Sequence, residues 1–184
     1  ERADDDVDRL YGSIVTYLGK LAQQNLVGAQ PTELYQYIGI ANQLENVGDV
    51  IVNDLLVDAR KRIHQGVVVS PQTLAVLSPL HERVCWAFER ARQALENGNL
   101  DAAHEANESK MQVRQLADTA ASHLAKRLTA YDPKRLATFQ VESGIIESLK
   151  RLNTLTRRVA RAVLEVDNGP PTASSGQPTA AGAV

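Results

Sequence analysis

The stretch that decides the fold is Leu44-Glu45-Asn46-Val47-Gly48-Asp49, in the middle of a long run with helical periodicity. Glu45 and Asp49 are four residues apart, so their carboxylates project side by side from one helix face. On a wheel of about 100° per residue, Glu45 shares its face with apolar residues, namely Leu34, Ile38, Ala41, Val52 and Leu56. A bundle would bury this face, and an unpaired buried ion costs several kcal/mol. The sequence therefore predicts a helical bundle in which something neutralises Glu45.

The composition fits a small helical protein. The chain has 184 residues, 43% of them hydrophobic and only 4% aromatic, and Ala, Leu, Gln, Glu and Arg are frequent. One cysteine excludes an intrachain disulfide framework, and no apolar stretch reaches the roughly 20 residues that cross a bilayer. We expect a soluble chain of one compact domain or two small ones, and the start at Glu1 rather than Met indicates a fragment or a processed product.

Apolar periodicity divides the chain into five helices and a tail. The helices are predicted over residues 4–24, 31–63, 70–97, 100–129 and 133–165. From Asp167 the composition shifts to Pro, Gly, Ser, Thr and Ala, which predicts a disordered C-terminal tail. We therefore expect an all-α antiparallel bundle, in which the last three helices form a three-helix bundle and the first two form a hairpin that continues it. The open apolar face of the hairpin would be buried in a homodimer or against the third helix.

Two parts of the chain follow the same plan. A second box, Leu149-Lys150-Arg151-Leu152-Asn153-Thr154, aligns with the first, so that Lys150 stands where Glu45 stands and Thr154 where Asp49 stands. The first and fourth helices align in the same way, Asp4-Asp5-Asp6-Val7-Asp8 with Lys110-Met111-Gln112-Val113-Arg114. The chain is therefore interpreted as two related units, with carboxylates in the first that bases partly replace in the second.

The first box resembles the helix signature of PhoU proteins, Leu-Glu-Arg-Ile-Gly-Asp, and departs from it at Asn46 and Val47. The wider pattern is similar to the PhoU-like cytoplasmic domain that follows the membrane part of bacterial Na⁺/phosphate cotransporters. This resemblance covers residues 4–165 and rests on four stretches: Asp8-Arg9-Leu10-Tyr11, Tyr17-Leu18-Gly19-Lys20-Leu21, Ala41-Asn42-Gln43-Leu44-Glu45-Asn46-Val47-Gly48-Asp49-Val50-Ile51 and Leu149-Lys150-Arg151-Leu152-Asn153. Because a PhoU repeat has three helices, it implies an incomplete first repeat of two helices (1–66), a complete second repeat (67–166) and the tail (167–184).

The same resemblance implies a function in phosphate transport. We expect a regulatory or accessory domain rather than an enzyme, attached to a Na⁺/phosphate cotransporter and acting in phosphate uptake by protein–protein contact. Its partner would be the membrane part of the cotransporter, at the cytoplasmic side of the inner membrane. The alternative is a free-standing, metal-binding PhoU-type regulator that contacts a phosphate permease or its sensor kinase.

A metal site is the second implication. PhoU-like domains can bind metal ions through Glu/Asp-x-x-x-Asp pairs on adjacent helices, which by position points to Asp4, Asp8, Glu45 and Asp49. Spacing supports this set, because helices that reverse near residue 28 place Asp8 about as far before the turn as Glu45 and Asp49 lie after it. Oxygen ligands favour Mg²⁺, Mn²⁺ or Ca²⁺, and carboxylate clusters also hold iron. Plainer alternatives stay open: the aspartates complement the helix dipole, or Glu45 pairs with an arginine or caps a hydrogen-bond network.

Other features point to chemistry less strongly. Between His123 and Arg161, nine Lys or Arg residues stand against three acids, a net charge of +6 on a chain of formal charge −2. We expect a solvated helical face here, with contact to an anionic membrane surface or to a transporter loop as the alternative and no nucleic-acid partner. His81 and Cys85 have the spacing of zinc ligands, but such a lone pair is usually packing. No nucleophile-elbow, P-loop or dinucleotide motif occurs, so no catalytic residue is predicted.

Overall fold

The structure is a computed structural model that describes residues 2–128 and 135–168. All regular secondary structure in these ranges is helical: α1 (Arg2–Ala22), α2 (Gln30–Asp49), a π-helical segment (Val50–Leu55), α3 (Leu56–His64), α4 (Pro71–Asn97), α5 (Leu100–Glu108), α6 (Lys110–Arg127) and α7 (Arg135–Asn168). The π segment joins α2 to α3, and one residue separates α5 from α6, so the chain forms the five predicted rods. The all-α fold class is confirmed.

Of the predicted tail, residues 167–184, the structure describes only residues 167 and 168. Residues 169–184 lie outside the described part of the chain, whereas α7 continues to Asn168, three residues past the predicted helix end. No helix within the described ranges is both long enough and apolar enough to cross a membrane.

Local capping explains why α4 begins and ends, and why α5 begins, where the sequence predicts. The hydroxyl of Ser70 accepts a hydrogen bond from the backbone N–H of Thr73 (3.1 Å), and a proline occupies the first turn of α4. Gly98 ends α4 in the left-handed conformation (φ 63°), which glycine adopts without strain. The amide oxygen of Asn99 then accepts from the N–H of Ala102 (3.0 Å) and starts α5.

Helices α4, α5–α6 and α7 pack together as the predicted three-helix bundle. Its wider part is filled by buried aliphatic side chains that include Leu80, Val84 and Leu124. Toward the α4–α5 turn the core becomes alanine-rich, with Ala94, Ala102, Ala103, Ala106 and Ala160 fully buried. Small side chains there let the helix backbones approach closely.

The predicted fourth helix is divided in two at Ser109. The Ser109 side chain is fully buried, and its hydroxyl donates to the amide oxygen of Asn153 on α7 (2.9 Å). The hydroxyl oxygen of Ser109 also lies 2.7 Å from the carbonyl oxygen of Ala106. Side-chain bonds of this kind compete with the helical ladder, which explains the interruption.

The predicted second helix also contains an irregularity that periodicity does not reveal. Its middle, Val50–Leu55, is a π helix, in which each hydrogen bond spans one more residue than in an α-helix. The side chains that follow are therefore turned by roughly one residue, about 100°, relative to a continuous α-helix. This explains why Leu56, expected on the buried face with Glu45, is 39% exposed.

The α1–α2 hairpin forms as predicted and docks on the bundle through α2. Val47 and Val50 of this rod are buried in the core, and α2 packs mainly on α7. In contrast, α1 packs on α2, and Leu10 and Tyr17 remain 62% and 63% exposed. The predicted third helix, α4, shares a core cluster with Ile40 and Leu44 of α2 but leaves the outer side of α1 uncovered. Burial of that outer side in a dimer stays a prediction.

Candidate functional site

The first turns of α1 lie beside the second half of α2, at the level that the spacing predicts. A Cβ built on Gly48 would lie 3.6 Å from Cγ1 of Val7 and 3.9 Å from Oδ1 of Asp4, which is ordinary van der Waals contact. Gly48 thus faces the start of α1, and the space beside it is taken by that neighbouring helix. Because Asp8 lies one turn after Asp4, and Glu45 and Asp49 flank Gly48, all four predicted carboxylates lie near this contact.

Glu45 is the member of this group with a perturbed proton affinity. Its side chain is half-buried, and burial is the first cause that raises its pKa above the usual value. The negative charges of Asp49 and Asp8 raise this pKa further, a hydrogen bond with Asp49 adds to the effect, and Asp4 contributes least. All the groups that act on the pKa of Glu45 are carboxylates, so the structure gives no support to an arginine partner.

The position of Glu45 differs from the one that the helical wheel predicts. Val47 and Val50 point into the bundle core, and Glu45 lies on the side of α2 that packs against α1, outside the three-helix core. The helix has two buried sides rather than one, because α7 and α1 pack on different sides of it. Leu34, on the same wheel face as Glu45, lines one cavity with Leu18 and Leu21 of α1.

The four carboxylates are electrostatic neighbours, but they are not arranged as a coordination shell. Within the described part of the chain, no group of three or more His, Cys, Asp and Glu side chains is placed to hold one metal ion. Asp49 already accepts a hydrogen bond from the amide of Asn53 (2.9 Å), and Asp8 is exposed. Their all-oxygen chemistry suits a hard divalent cation, but binding one would require these side chains to rotate toward each other.

The corresponding part of the second unit carries bases at the surface, as the alignment predicts. Lys150 is exposed and its ammonium group lies 2.8 Å from a carboxylate oxygen of Glu147. Thr154 donates its hydroxyl to the carbonyl oxygen of Lys150 (3.0 Å), one turn earlier in the same helix. Lys110 and Arg114 are also exposed. Three bases and a hydroxyl thus stand where the first unit carries its four carboxylates.

The pair His81 and Cys85 is formed but incomplete as a metal site. Nε2 of His81 lies 3.4 Å from Sγ of Cys85, and both side chains are exposed on α4. A third ligand is missing among the described residues. Because both side chains are exposed, the structure does not support the packing interpretation of this pair either.

One buried carboxylate was not anticipated from the sequence. Glu142 of α7 is fully buried, and its oxygens lie 3.9 Å from Arg127 and 3.8 Å from Arg135. These distances are too long for hydrogen bonds, and among the described residues neither Glu142 oxygen has another hydrogen-bond partner. Arg127 also donates to the hydroxyl of Ser70, so the group ties the end of α6 to the starts of α4 and α7.

A second unanticipated contact joins α3 to α7. Asp58 is buried, and its carboxylate rests against Gly144, with Lys61 3.1 Å away as its ion-pair partner. A glycine in the middle of a long helix was the only sequence signal for this close approach.

Comparison with known proteins gives relatives concerned with phosphate. The chain is 26% identical, over 161 residues, to a Salmonella typhimurium (strain LT2) protein named "Putative inorganic phosphate export protein YjbB", and 24% identical to the proteins of that name from Escherichia coli (strain K12) and Shigella flexneri. Each alignment covers 88% of this chain and 30% of the relative, so the chain spans about a third of their length.

No solved structure matches the chain. The PhoU domain family model matches residues 1–53, which comprise α1, α2 and the first residues of the π segment. The part of the chain that is similar to the PhoU domain is therefore the hairpin that carries all four carboxylates.

Proposed function

We propose that this chain is a regulatory or accessory domain of a longer phosphate-transport protein, and that it acts by protein–protein contact. The observation that carries the proposal is the PhoU match over residues 1–53, on a hairpin whose apolar α1 side is left exposed. The relatives support a role in phosphate homeostasis, because their name concerns phosphate export and the chain corresponds to about a third of their length.

The finer part of the proposal concerns attachment and place. We propose that the domain is joined to the membrane part of a Na⁺/phosphate cotransporter, at the cytoplasmic side of the inner membrane, and acts there without catalytic chemistry of its own. The relatives' name gives export as the direction of transport, whereas uptake was expected from the sequence. A free-standing regulator has less support, because the relatives are about three times as long as the chain.

The exposed stripe of α1 is the proposed contact surface with the rest of the transporter. In the full-length protein, changing Leu10 and Tyr17 to glutamate should alter phosphate flux while leaving the helical content unchanged, because both side chains are largely exposed. The matched control is Leu74→Glu on α4, which is 56% exposed and lies far from the hairpin in sequence. Flux of radiolabelled phosphate in cells that express each variant measures the effect, and equal flux in all of them refutes the proposal.

A divalent cation is the proposed ligand of the first unit. Asp4, Asp8, Glu45 and Asp49 repel one another, and a cation among them would relieve that repulsion. Mg²⁺, Mn²⁺, Ca²⁺ or Fe²⁺ should then raise the melting temperature. At a cation concentration of 100 times the Kd, the free energy of unfolding should increase by about 2.7 kcal/mol. Glu45→Gln should abolish this increment. If no cation shifts the melting of the wild type, Glu45 has a structural role only.

A further inference from the structure

The exposed side of α7 lies between two other rods and forms one continuous face with them. On one side, Arg151 pairs with Asp54 of the π segment (3.0 Å) and Arg158 donates to Gln43 of α2 (3.4 Å). On the other side, Arg157 donates to the carbonyl oxygen of Asn107 of α5 (2.8 Å), and α6 begins beside α7 at Ser109. The face therefore consists of α2, α7 and α5–α6 in that order, with α1 beyond α2.

One edge of this face is acidic. It carries the α1–α2 carboxylates, namely Asp4, Asp8, Glu45 and Asp49. Asp4 lies against Gly48 of α2, and among the described residues the charged groups that influence the proton affinity of Glu45 are all negative. Such a cluster attracts a positive surface or ion.

The opposite edge is basic. Ser109 and Asn153 are hydrogen-bonded and so fix the level of α6 against α7. At a rise of about 1.5 Å per residue in antiparallel helices, Lys110, Lys150 and Arg114 lie roughly 2, 5 and 8 Å from that level, all in the same direction. Within the chain, Lys150 pairs with the exposed Glu147, and Arg114 lies 3.8 Å from the exposed Asp118. Exposed pairs of this kind contribute little and exchange readily.

The two edges lie at similar heights along the bundle. Asp49 falls between Gln43 and Asp54, which contact Arg158 and Arg151, so it lies near the level of residue 154 of α7. The basic edge starts at residue 153 of the same helix. A two-fold axis that lies in the interface and runs parallel to the helices would therefore bring the acidic edge of one copy onto the basic edge of another, twice in one dimer.

We propose that this face is a dimer interface, in which the α1–α2 carboxylates of each copy bind Lys110, Arg114 and Lys150 of a second copy. Charge complementarity within one continuous face carries the inference, which goes beyond the proposed transport function and does not depend on it. It also differs from a dimer through the apolar side of α1, because its contacts are charged.

Reversal of the charges on each edge tests the proposal. In EDTA and 20 mM NaCl, we expect sedimentation equilibrium to show a dimer of the wild type whose Kd rises at least about tenfold in 500 mM salt. The acid-reversed variant Asp8→Lys/Glu45→Lys and the base-reversed variant Lys110→Glu/Lys150→Glu should each be monomeric. Circular dichroism should show that both variants are folded.

The decisive arm is the equimolar mixture of the two variants. Both contacts of the mixed dimer then join opposite charges, so the mixture should dimerise although neither component does. The control Glu82→Lys/Glu89→Lys changes the net charge as the acid-reversed variant does but alters only α4, and it should dimerise as the wild type does. A wild type that is monomeric at 100 µM in low salt overturns the proposal. Binding of that monomer to anionic vesicles would instead point to a membrane surface as the partner of the basic edge. A mixture that stays monomeric also overturns the proposal.

Discussion

Replacing Gly144 by alanine tests how closely α7 and α3 are held together. A Cβ at this position would overlap Oδ2 of Asp58 and would lie 3.0 Å from its Cγ and 3.4 Å from its Oδ1. The whole carboxylate would have to move, and it would leave Lys61 as it did so. Alanine in a helix interior gains roughly 0.5–1 kcal/mol over glycine, whereas forced repacking of this kind costs roughly 1–3 kcal/mol.

The expected net effect of Gly144→Ala is a loss of about 1–2 kcal/mol in the free energy of unfolding. For a chain of this size that corresponds to a melting temperature lower by roughly 3–6 °C. Urea titration followed by circular dichroism measures the free energy, and a thermal scan measures the shift.

The matched control is Gly39→Ala on α2. Gly39 is also a half-buried helical glycine, but a Cβ there meets nothing within 4 Å. This variant should be more stable than the wild type by about 0.5–1 kcal/mol, from the helix preference alone. In an Asp58→Ala background Gly144→Ala should likewise become stabilising, because its obstacle is gone. If Gly144→Ala stabilises the wild type as much as Gly39→Ala does, the proposed steric conflict is refuted.

Three further predictions concern ionised side chains. The fold raises the pKa of Glu45, so the contribution of this residue to stability is fully present below the usual value of 4.5 and is lost as the pH rises through the raised pKa. Glu45→Gln should therefore raise the melting temperature at pH 7 but hardly at pH 4. The control Lys150→Gln should leave the melting temperature unchanged at both pH values. The reverse holds for Glu89, whose pKa is lowered to about 2 by hydrogen bonds from Arg92 and Gln93, so its stabilisation is present above pH 4.5 and lost toward pH 2; Glu89→Gln should flatten the acid side of the stability profile. Glu142→Gln should cost roughly 3 kcal/mol in urea titration, because it leaves buried arginine charge uncompensated, and a loss below about 1 kcal/mol contradicts that role.

Most of the helical framework could be predicted, because it depends on local signals. The hydroxyl of Ser70 and the left-handed conformation of Gly98 fix the ends of α4 with interactions that span a few residues. The matching levels of Asp4 and Gly48 follow from equal helix lengths on either side of a turn. Such features can be predicted from the sequence because they depend neither on the partner helix nor on the packing angle.

The remaining features depend on contacts that the sequence does not show. The exposure of Leu56 results from the π segment, whose wider turns leave no mark in the apolar spacing. The interruption at Ser109 depends on Asn153, which is distant in sequence. The placement of Glu45 outside the core could not be predicted either, because a wheel gives the apolar side of a helix without saying which neighbour covers it.

The π segment also has a consequence for how related sequences should be aligned. One residue fewer between Val50 and Leu55 would allow an ordinary α-helix and would rotate α3 by about 100° relative to α2. Asp58 would then turn away from Gly144, and the glycine would lose the neighbour that requires it. A homologue with a one-residue gap here should therefore be free to carry a larger residue at position 144, so that chain length at one site and side-chain size at the other change together.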